Sequence, residues 1–395
     1  FAALVFVLSV FPAHASLPGR WEQDLSGSGW RLWLDEQASW TEDDIYLPPV
    51  VVASVPVNPP TCGWDMLEHV EGVDVCVPGT VEGYYWGANG NPIGTAGDYR
   101  GVSWWSRTFD LPADRSGQRI TLEFDAVNLR AEVFVNRTLV GYDVIGNTPF
   151  SCDITDAVRF GGMNSLDIRI TDPVGNFNWN DNDVYRWGRH DVPAVHGFGG
   201  ITGAVTLRAT GSVWVNDSYV ENKPDPQTVD ITVTLESRAA SPVTGELTLD
   251  IVEAGDADHT VKSLTRTVDV PPDGAVVTVT ETCGDARLWS NESPTLHVVN
   301  ASFISDDGMV RDTASQRFGF RYFPVGEKNG DKRFYLNGKR VFLFCAMTRG
   351  YWPTNGIFPT EDMIDREVKA LRTFNFNTML YHRAIGPEEI GRAHV

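Results

Sequence analysis

The densest concentration of chemistry-bearing side chains lies at residues 176–196, which read NFNWNDNDVYRWGRHDVPAVH. Aromatic, amide, carboxylate and guanidinium groups in one exposed loop suit sugar hydroxyls. Planar polar groups take paired hydrogen bonds, and rings stack on C–H faces. On that reading Asp181, Asp183, Arg186 and Trp187 are candidate contacts. Two other readings stand beside it: plain solvated surface, or a calcium site built from Asp181, Asp183 and Asn180, whose oxygens suit a hard cation. The cysteines Cys62, Cys76, Cys152, Cys283 and Cys345 match no zinc spacing. Cys62 and Cys76 flank a short acidic loop and can pair in an oxidising compartment; the alternative is mostly buried free thiols. No cofactor is expected.

The elements that must position these groups are almost all strands. Ile120, Leu122 and Phe124 alternate with polar neighbours, as do Ala131, Val133 and Val135, and Leu166, Ile168 and Ile170. Period-two alternation predicts strands with one buried face, and the block 16–211 reads as one β-sandwich. The loop 176–196 interrupts that pattern just before Gly199. A second block, 212–323, repeats the alternation at Ile231, Val233, Leu235 and at Leu247, Leu249, Ile251, with turns at Pro224-Asp225-Pro226 and Pro271-Pro272-Asp273-Gly274. Its length and spacing suit an immunoglobulin-like sandwich.

The character changes after Pro324. Asn337-Gly338 predicts a tight hairpin, and the apolar run Val341 to Met347 predicts a strand buried on both faces. Thr360 is placed to cap a helix whose apolar face is Ile364, Val368, Leu371 and Phe374. A further strand follows from Asn377 to His382. Strand, helix, strand is the unit of a parallel sheet or barrel.

The chain has 395 residues, 32 Lys plus Arg against 52 Asp plus Glu, and a formal charge of −20. That balance argues against nucleic acid and anionic membrane as partners. It fits a soluble secreted protein with a neutral or locally recognised ligand. Ten of the 13 tryptophans precede residue 190, and Trp21, Trp30, Trp33, Trp40, Trp104 and Trp105 suit sandwich core better than ligand contact.

Both ends carry expectations of their own. Phe1 to Phe11 is nearly all apolar and is followed by Ala13-His14-Ala15, so residues 1–15 read as a partial signal peptide; the competing reading is a buried strand. Export makes the location secreted, periplasmic or extracellular. No other stretch approaches the ~18 apolar residues of a membrane span. Glu389-Ile390-Gly391-Arg392-Ala393-His394-Val395 is the in-frame translation of a common sequencing-library adapter, and residues 389–395 are expected to be an artefact of that origin.

A series of short motifs runs through the chain in one order. It begins with Asp24-Leu25-Ser26-Gly27 and Trp30, Val77-Pro78-Gly79-Thr80, and Trp104-Trp105-Ser106-Arg107-Thr108-Phe109. It continues with LEFDAVN at 122–128, AEVFVN at 131–136, Thr148-Pro149-Phe150 with Asp153-Ile154-Thr155, and Asn164-Ser165-Leu166. It ends with GGITGAV at 199–205, LWSNESP at 288–294, RFGFR at 317–321 and FYLNGK at 334–339. This series resembles glycoside hydrolase family 2, the β-galactosidase, β-glucuronidase and β-mannosidase group.

The resemblance implies a mostly β chain: a jelly-roll (galactose-binding-like) β-sandwich, an immunoglobulin-like β-sandwich, and at 324–388 the truncated start of a (β/α)8 TIM barrel. It implies retaining hydrolysis of terminal β-glycosidic bonds in a β-linked oligo- or polysaccharide. That chemistry uses two carboxyls about 5–5.5 Å apart, one with a raised pKa. In the family both glutamates come late in the barrel, so no catalytic residue is assigned here, and the fragment alone is expected to be inactive.

Barrel chemistry sits at the C-terminal ends of the strands. Those positions hold Thr348 and Arg349, then His382 and Arg383. The competing reading for His382 and Arg383 is a structural pair at the rim. The family often has Asn-x-x-Arg-x-x-His at the second strand; counting from Asn377, Leu380 and Arg383 stand there, which marks a divergent branch. Trp352 is a candidate sugar platform, and family jelly rolls can send a loop like 176–196 to the site's rim. The rival reading of the whole chain is a non-catalytic secreted carbohydrate-binding or adhesive sandwich protein.

Overall fold

The computed structural model describes residues 19–85, 99–174, 184–193, 197–348 and 361–382. The signal-like stretch 1–15, the tail 389–395, Asn180, Asp181, Asp183, Arg349, Trp352, Thr360 and Arg383 lie outside the described residues.

The first block is a sandwich of two antiparallel sheets. One has six strands in the order Val73–Val77, Gly27–Asp35, Gly101–Leu111, Gly162–Asp172, Arg130–Val135, Thr138–Asp143. The other has four, in the order Trp21–Asp24, Val205–Thr210, Arg119–Phe124, Phe150–Asp153. Their facing sides bury Leu25, Trp105, Phe124, Val133, Ile168 and Leu207. Trp30, Trp104 and Trp105 are fully enclosed, as their type predicts.

The period-two expectation needs one correction here. Strand Arg130–Val135 is buried on both faces, Arg130, Glu132 and Phe134 included. The cause is the long excursion 36–72, which folds back over the outer face of the six-stranded sheet. There Trp40, Trp64 and Leu67 pack on Trp104 and Phe134, and Val55 packs on Tyr142 and Val144.

A small three-stranded sheet closes one end: Gly200–Ile201 runs between Gly79–Thr80 and Val127–Asn128. Gly200 has φ 156°. A Cβ there would press on the Gly79 carbonyl and lie 2.8 Å from Thr80 Cα. Gly200→Ala is therefore expected to cost about 1–3 kcal/mol, seen as a lower urea midpoint at unchanged slope.

The second block pairs a three-stranded sheet (Val213–Asn222, Thr228–Ser237, Ala275–Thr282) with a four-stranded one (Asp256–Val270, Val243–Glu253, His297–Ser305, Arg311–Phe318). Here the alternation is plain. Ile231, Val233, Leu235, Leu247, Leu249 and Ile251 are buried, and their neighbours are partly exposed. The two blocks fit the expected jelly-roll and immunoglobulin-like sandwiches. They are clamped by Arg20, which gives Asp312 two hydrogen bonds of 3.0 and 2.7 Å and the Val215 carbonyl a third of 2.6 Å. Asp312 also accepts the Val215 N–H at 2.7 Å, so its buried carboxylate is well satisfied.

After Phe323 the chain forms the predicted hairpin, Asp331–Leu336 with Lys339–Val341, with Asn337 and Gly338 at positive φ as an Asn-Gly turn requires. The expected continuous strand over 341–347 is not formed. It breaks after Val341 and resumes at Cys345–Thr348, which pairs in parallel with Thr378–Tyr381. The Asn377 side chain fills the gap: its Nδ2 donates to the Phe342 carbonyl at 2.7 Å and its Oδ1 accepts the Phe344 N–H at 2.9 Å. Nor is the run buried, for Phe342, Phe344 and Met347 are each at least 60% exposed. The helix Glu361–Thr373 buries Ile364 and Val368 against Met379 and Tyr381. Phe374, expected on its apolar face, lies past the helix end and is exposed.

All five cysteines are free thiols, with Cys152 and Cys283 buried. Among the described residues no helix is long and apolar enough to cross a membrane.

Candidate functional site

The part of the candidate loop within the described residues is a hairpin, Val184–Trp187 with His190–Pro193. It is not free surface. Trp187 is completely buried, and its Nε1 donates to the Trp40 carbonyl at 2.8 Å. Trp40 meets the ring edge-on at 5.7 Å, and the Arg130 guanidinium lies 4.8 Å from its centroid. Neither arrangement leaves a ring face for a sugar, so Trp187 anchors the hairpin instead of forming a platform. Arg186 points outward and pairs with Asp191 at 2.8 Å, both well exposed. Further tethers reach residues 41–45. Gly188 N–H donates to the Thr41 carbonyl, Arg189 pairs with Asp44 at 2.9 Å, and the Ile45 N–H donates to His190 Nε2 at 3.3 Å.

Beneath this contact lies a buried charge network that the sequence reading missed. Antiparallel register sets Arg169 opposite Glu132, and Thr171 opposite Arg130. All four share the outer face that the excursion covers. Arg169 donates to Glu132 Oε2, to Thr171 Oγ1 at 3.2 Å and to the Ser39 carbonyl at 3.2 Å. Arg130 pairs with Asp43 at 2.6 Å, lies 3.4 Å from Glu132, and donates to Thr171 Oγ1 at 3.0 Å. Asn58 Nδ2 closes the set on Glu132 Oε1 at 2.7 Å. Two guanidinium groups thus face two carboxylates, and charge balances inside the network. The only available signal was parity: Arg130, Glu132 and Arg169 occupy the alternate positions of their strands. That pattern normally means solvent, because the sequence does not announce that residues 36–72 return to cover it.

The excursion and the network enclose a pocket of about 230 Å³. Its walls include Asp43, Tyr46, Asn58, Arg130, Glu132 and Tyr142. Tyr142 Oη accepts the Tyr46 N–H at 3.3 Å, and burial pushes the phenol up to about 12.

The second candidate group sits at the ends of the parallel strands. The His382 N–H donates to the Thr348 carbonyl at 2.8 Å, and His382 is half-buried. Glu367, from the helix, bonds the Thr348 side chain, and burial pushes its carboxyl up. Tyr381 stands beside Glu367; burial and that carboxylate both push its phenol up, and its Oη is buried without a hydrogen-bond partner. The structure therefore brings Thr348, Glu367, Tyr381 and His382 together. The larger cavity nearby, about 830 Å³, is a seam between Trp289, Arg317 and Arg321 of the second sandwich and Leu371, Phe376 and Met379. Among the described residues no group of three or more His, Cys, Asp or Glu is placed to hold a metal ion.

Comparison with known proteins follows the same division of the chain. The model of the glycosyl hydrolases family 2 sugar binding domain matches residues 92–207, and that of glycosyl hydrolases family 2 matches residues 213–321; together they cover more than half of the chain. A β-glucuronidase of Formosa agariphila is 26% identical over 282 residues, covering 68% of this chain and 28% of the relative. A β-galactosidase of Clostridium acetobutylicum is 23% identical over 372 residues, covering 91% and 37%. The fold is similar to that of a family 2 member from Bacteroides cellulosilyticus (TM-score 0.68, 20% identity, 94% of this chain and 46% of the other). It is also similar to a Bacteroides uniformis β-glucuronidase (TM-score 0.67, 19% identity, 94% and 40%). The chain spans about a third of the length of these curated relatives.

Proposed function

Because this chain belongs to glycosyl hydrolase family 2, we propose that it is the front portion of an exported retaining glycoside hydrolase acting on terminal β-glycosidic bonds. The observation that carries this reading is the succession of the two family models across both sandwiches, in family order. On this reading residues 324–388 open a (β/α)8 barrel. The parallel pair Cys345–Thr348 and Thr378–Tyr381, with the helix Glu361–Thr373 between them in sequence, supports it. Strand ends then face the substrate, which makes Thr348 and His382 the candidate substrate-side positions among the described residues; Arg349, Trp352 and Arg383 stay candidates by sequence alone, outside the described residues.

The reaction needs one carboxyl to protonate the leaving oxygen and a second to attack the anomeric carbon, about 5–5.5 Å apart. We assign neither to this chain. Glu367 is held by Thr348 on a helix, not at a strand end.

The test compares the 395-residue chain with the full product of its gene on nitrophenyl β-glucuronide, β-galactoside and β-mannoside. Turnover is expected from the full product, and none above buffer from the 395-residue chain. A gene that closes near Pro387 without a later carboxylate pair, or a full product inert on all three glycosides, would favour the non-catalytic binding protein.

A further inference from the structure

We propose that the pocket between the excursion 41–58 and the Arg130–Glu132 strand binds a single neutral pyranose unit. Its volume, about 230 Å³, equals roughly eight waters at about 30 Å³ each. It falls below the ~300–1,000 Å³ of drug-sized sites, so it admits one small ring and not a chain of them.

The wall chemistry selects a polyol. Polar groups of both kinds converge on a small space. The Tyr142 hydroxyl accepts the Tyr46 N–H and keeps its own proton to donate. Asn58 spends its Nδ2 on Glu132 and keeps its Oδ1 as an acceptor. Asp43 spends Oδ2 on Arg130 and keeps Oδ1. Between them stand apolar surfaces, Val55, Pro56 and the ring of Tyr46, which suit the C–H face of a pyranose. A hydroxyl-rich ring with apolar faces uses every one of these features.

Charge selects a neutral ring. The one guanidinium group in the pocket wall, Arg130, is already met by Asp43 and lies beside Glu132, and Arg169 behind it is met by Glu132. Arg189 meets Asp44. Glu42 stands exposed at the rim with no cation against it among the described residues. A uronate would bring a carboxylate to a rim with surplus negative charge, in a chain of net charge −20. The site is also held in shape before any ligand arrives. The hairpin anchored by Trp187 pins residues 40–45 from outside, and the buried ion network pins Asp43 and Asn58 from below. The proposal does not depend on the hydrolase reading, since it concerns the first sandwich alone.

The experiment titrates the 395-residue chain at pH 7 with methyl β-glucopyranoside, methyl β-galactopyranoside, methyl α-mannopyranoside and sodium glucuronate, read by saturation-transfer NMR and calorimetry. Saturable binding of at least one neutral glycoside is expected, with glucuronate at least tenfold weaker. Tyr142→Phe, which removes one oxygen, is expected to weaken the neutral ligand at least fivefold. Glu42→Lys alters only the exposed rim and leaves the fold intact; it is expected to bring glucuronate within threefold of the neutral ligand. The proposal is overturned if no neutral glycoside saturates, if glucuronate binds the native chain as well as they do, or if neither substitution changes the binding.

Discussion

Replacing Glu132 with alanine is expected to destabilise the first sandwich by about 3–5 kcal/mol, the cost of removing one partner from a buried ion pair. Glu132 is the carboxylate between two guanidinium groups, and all three side chains are at most 2% exposed. Without it, Arg169 keeps only the Thr171 hydroxyl, the Ser39 carbonyl and a distant Asp43 at 3.9 Å. Arg130 keeps Asp43 and Thr171. One positive charge is then left under the excursion with no carboxylate of its own. Asn58 loses its acceptor as well, so the excursion itself should loosen. Urea unfolding followed by tryptophan fluorescence reads the effect, because Trp40 and Trp187 sit on this network. A control separates lost charge from lost packing. Changing Arg130, Glu132 and Arg169 together to Met, Leu and Met removes the three buried charges at similar volume and leaves only Asp43, whose side chain is 24% exposed and can be solvated. It should cost clearly less than the single substitution, since buried ion networks can be replaced by apolar groups nearly neutrally. A Glu132→Ala cost below about 1 kcal/mol would mean that water already reaches the network.

That network shows where the sequence could be read and where it could not. In the second sandwich the alternation of Ile231, Val233 and Leu235 with threonines gave both strand and exposure, because each sheet there has one wet face. The same rule applied to Arg130–Val135 found the strand and misjudged its environment. Period two reports which residues share a face, not what covers that face, and the cover comes from a segment some 60 to 90 residues earlier in the chain. The run from Val341 to Met347 failed for a related reason. Apolar composition predicts burial only where neighbours supply it, and here one parallel partner and the Asn377 side chain decide the path. Turn chemistry, by contrast, is local. Asn337-Gly338 was legible because its demands are set by adjacent backbone, whereas the constriction at Gly200 was not, because Gly79 and Thr80, which press on it, come from a distant strand. In the candidate loop, Trp187 reads as a ligand platform by type alone. Only the packing of Trp40 and Arg130 around it assigns it to anchoring.

The two sandwiches are expected to part company in acid, and the reason lies in one group in each. His297 is fully buried against Phe318 and Phe320, and neither ring nitrogen has a hydrogen-bond partner. Burial, with Arg287 and His259 nearby, pushes it down to about 4. Glu253 does not rescue it, since that carboxylate is taken by Arg287. The unfolded chain protonates this histidine below about 6.5 while the folded chain resists until about 4. The unfolded state therefore binds more protons across that interval, and stability falls as pH falls, by about 3 kcal/mol in all.

Asp143, in the first sandwich, works in the opposite sense. Burial pushes its carboxyl up to about 6, against the pull of the Ile145 and Val144 N–H groups. The folded state then binds more protons between about 4 and 6, so acidification over that range relieves the first sandwich by a similar amount. Calorimetry at pH 7 and pH 4.5 should show the transition of the second sandwich falling by roughly 10 °C or more relative to that of the first. His297→Leu should remove the fall of the second transition, and Asp143→Asn should raise the first transition at pH 7 and so abolish its relief in acid. If the native protein and His297→Leu lose the same stability between pH 7 and pH 4.5, the buried imidazole is not what makes the second sandwich acid-sensitive.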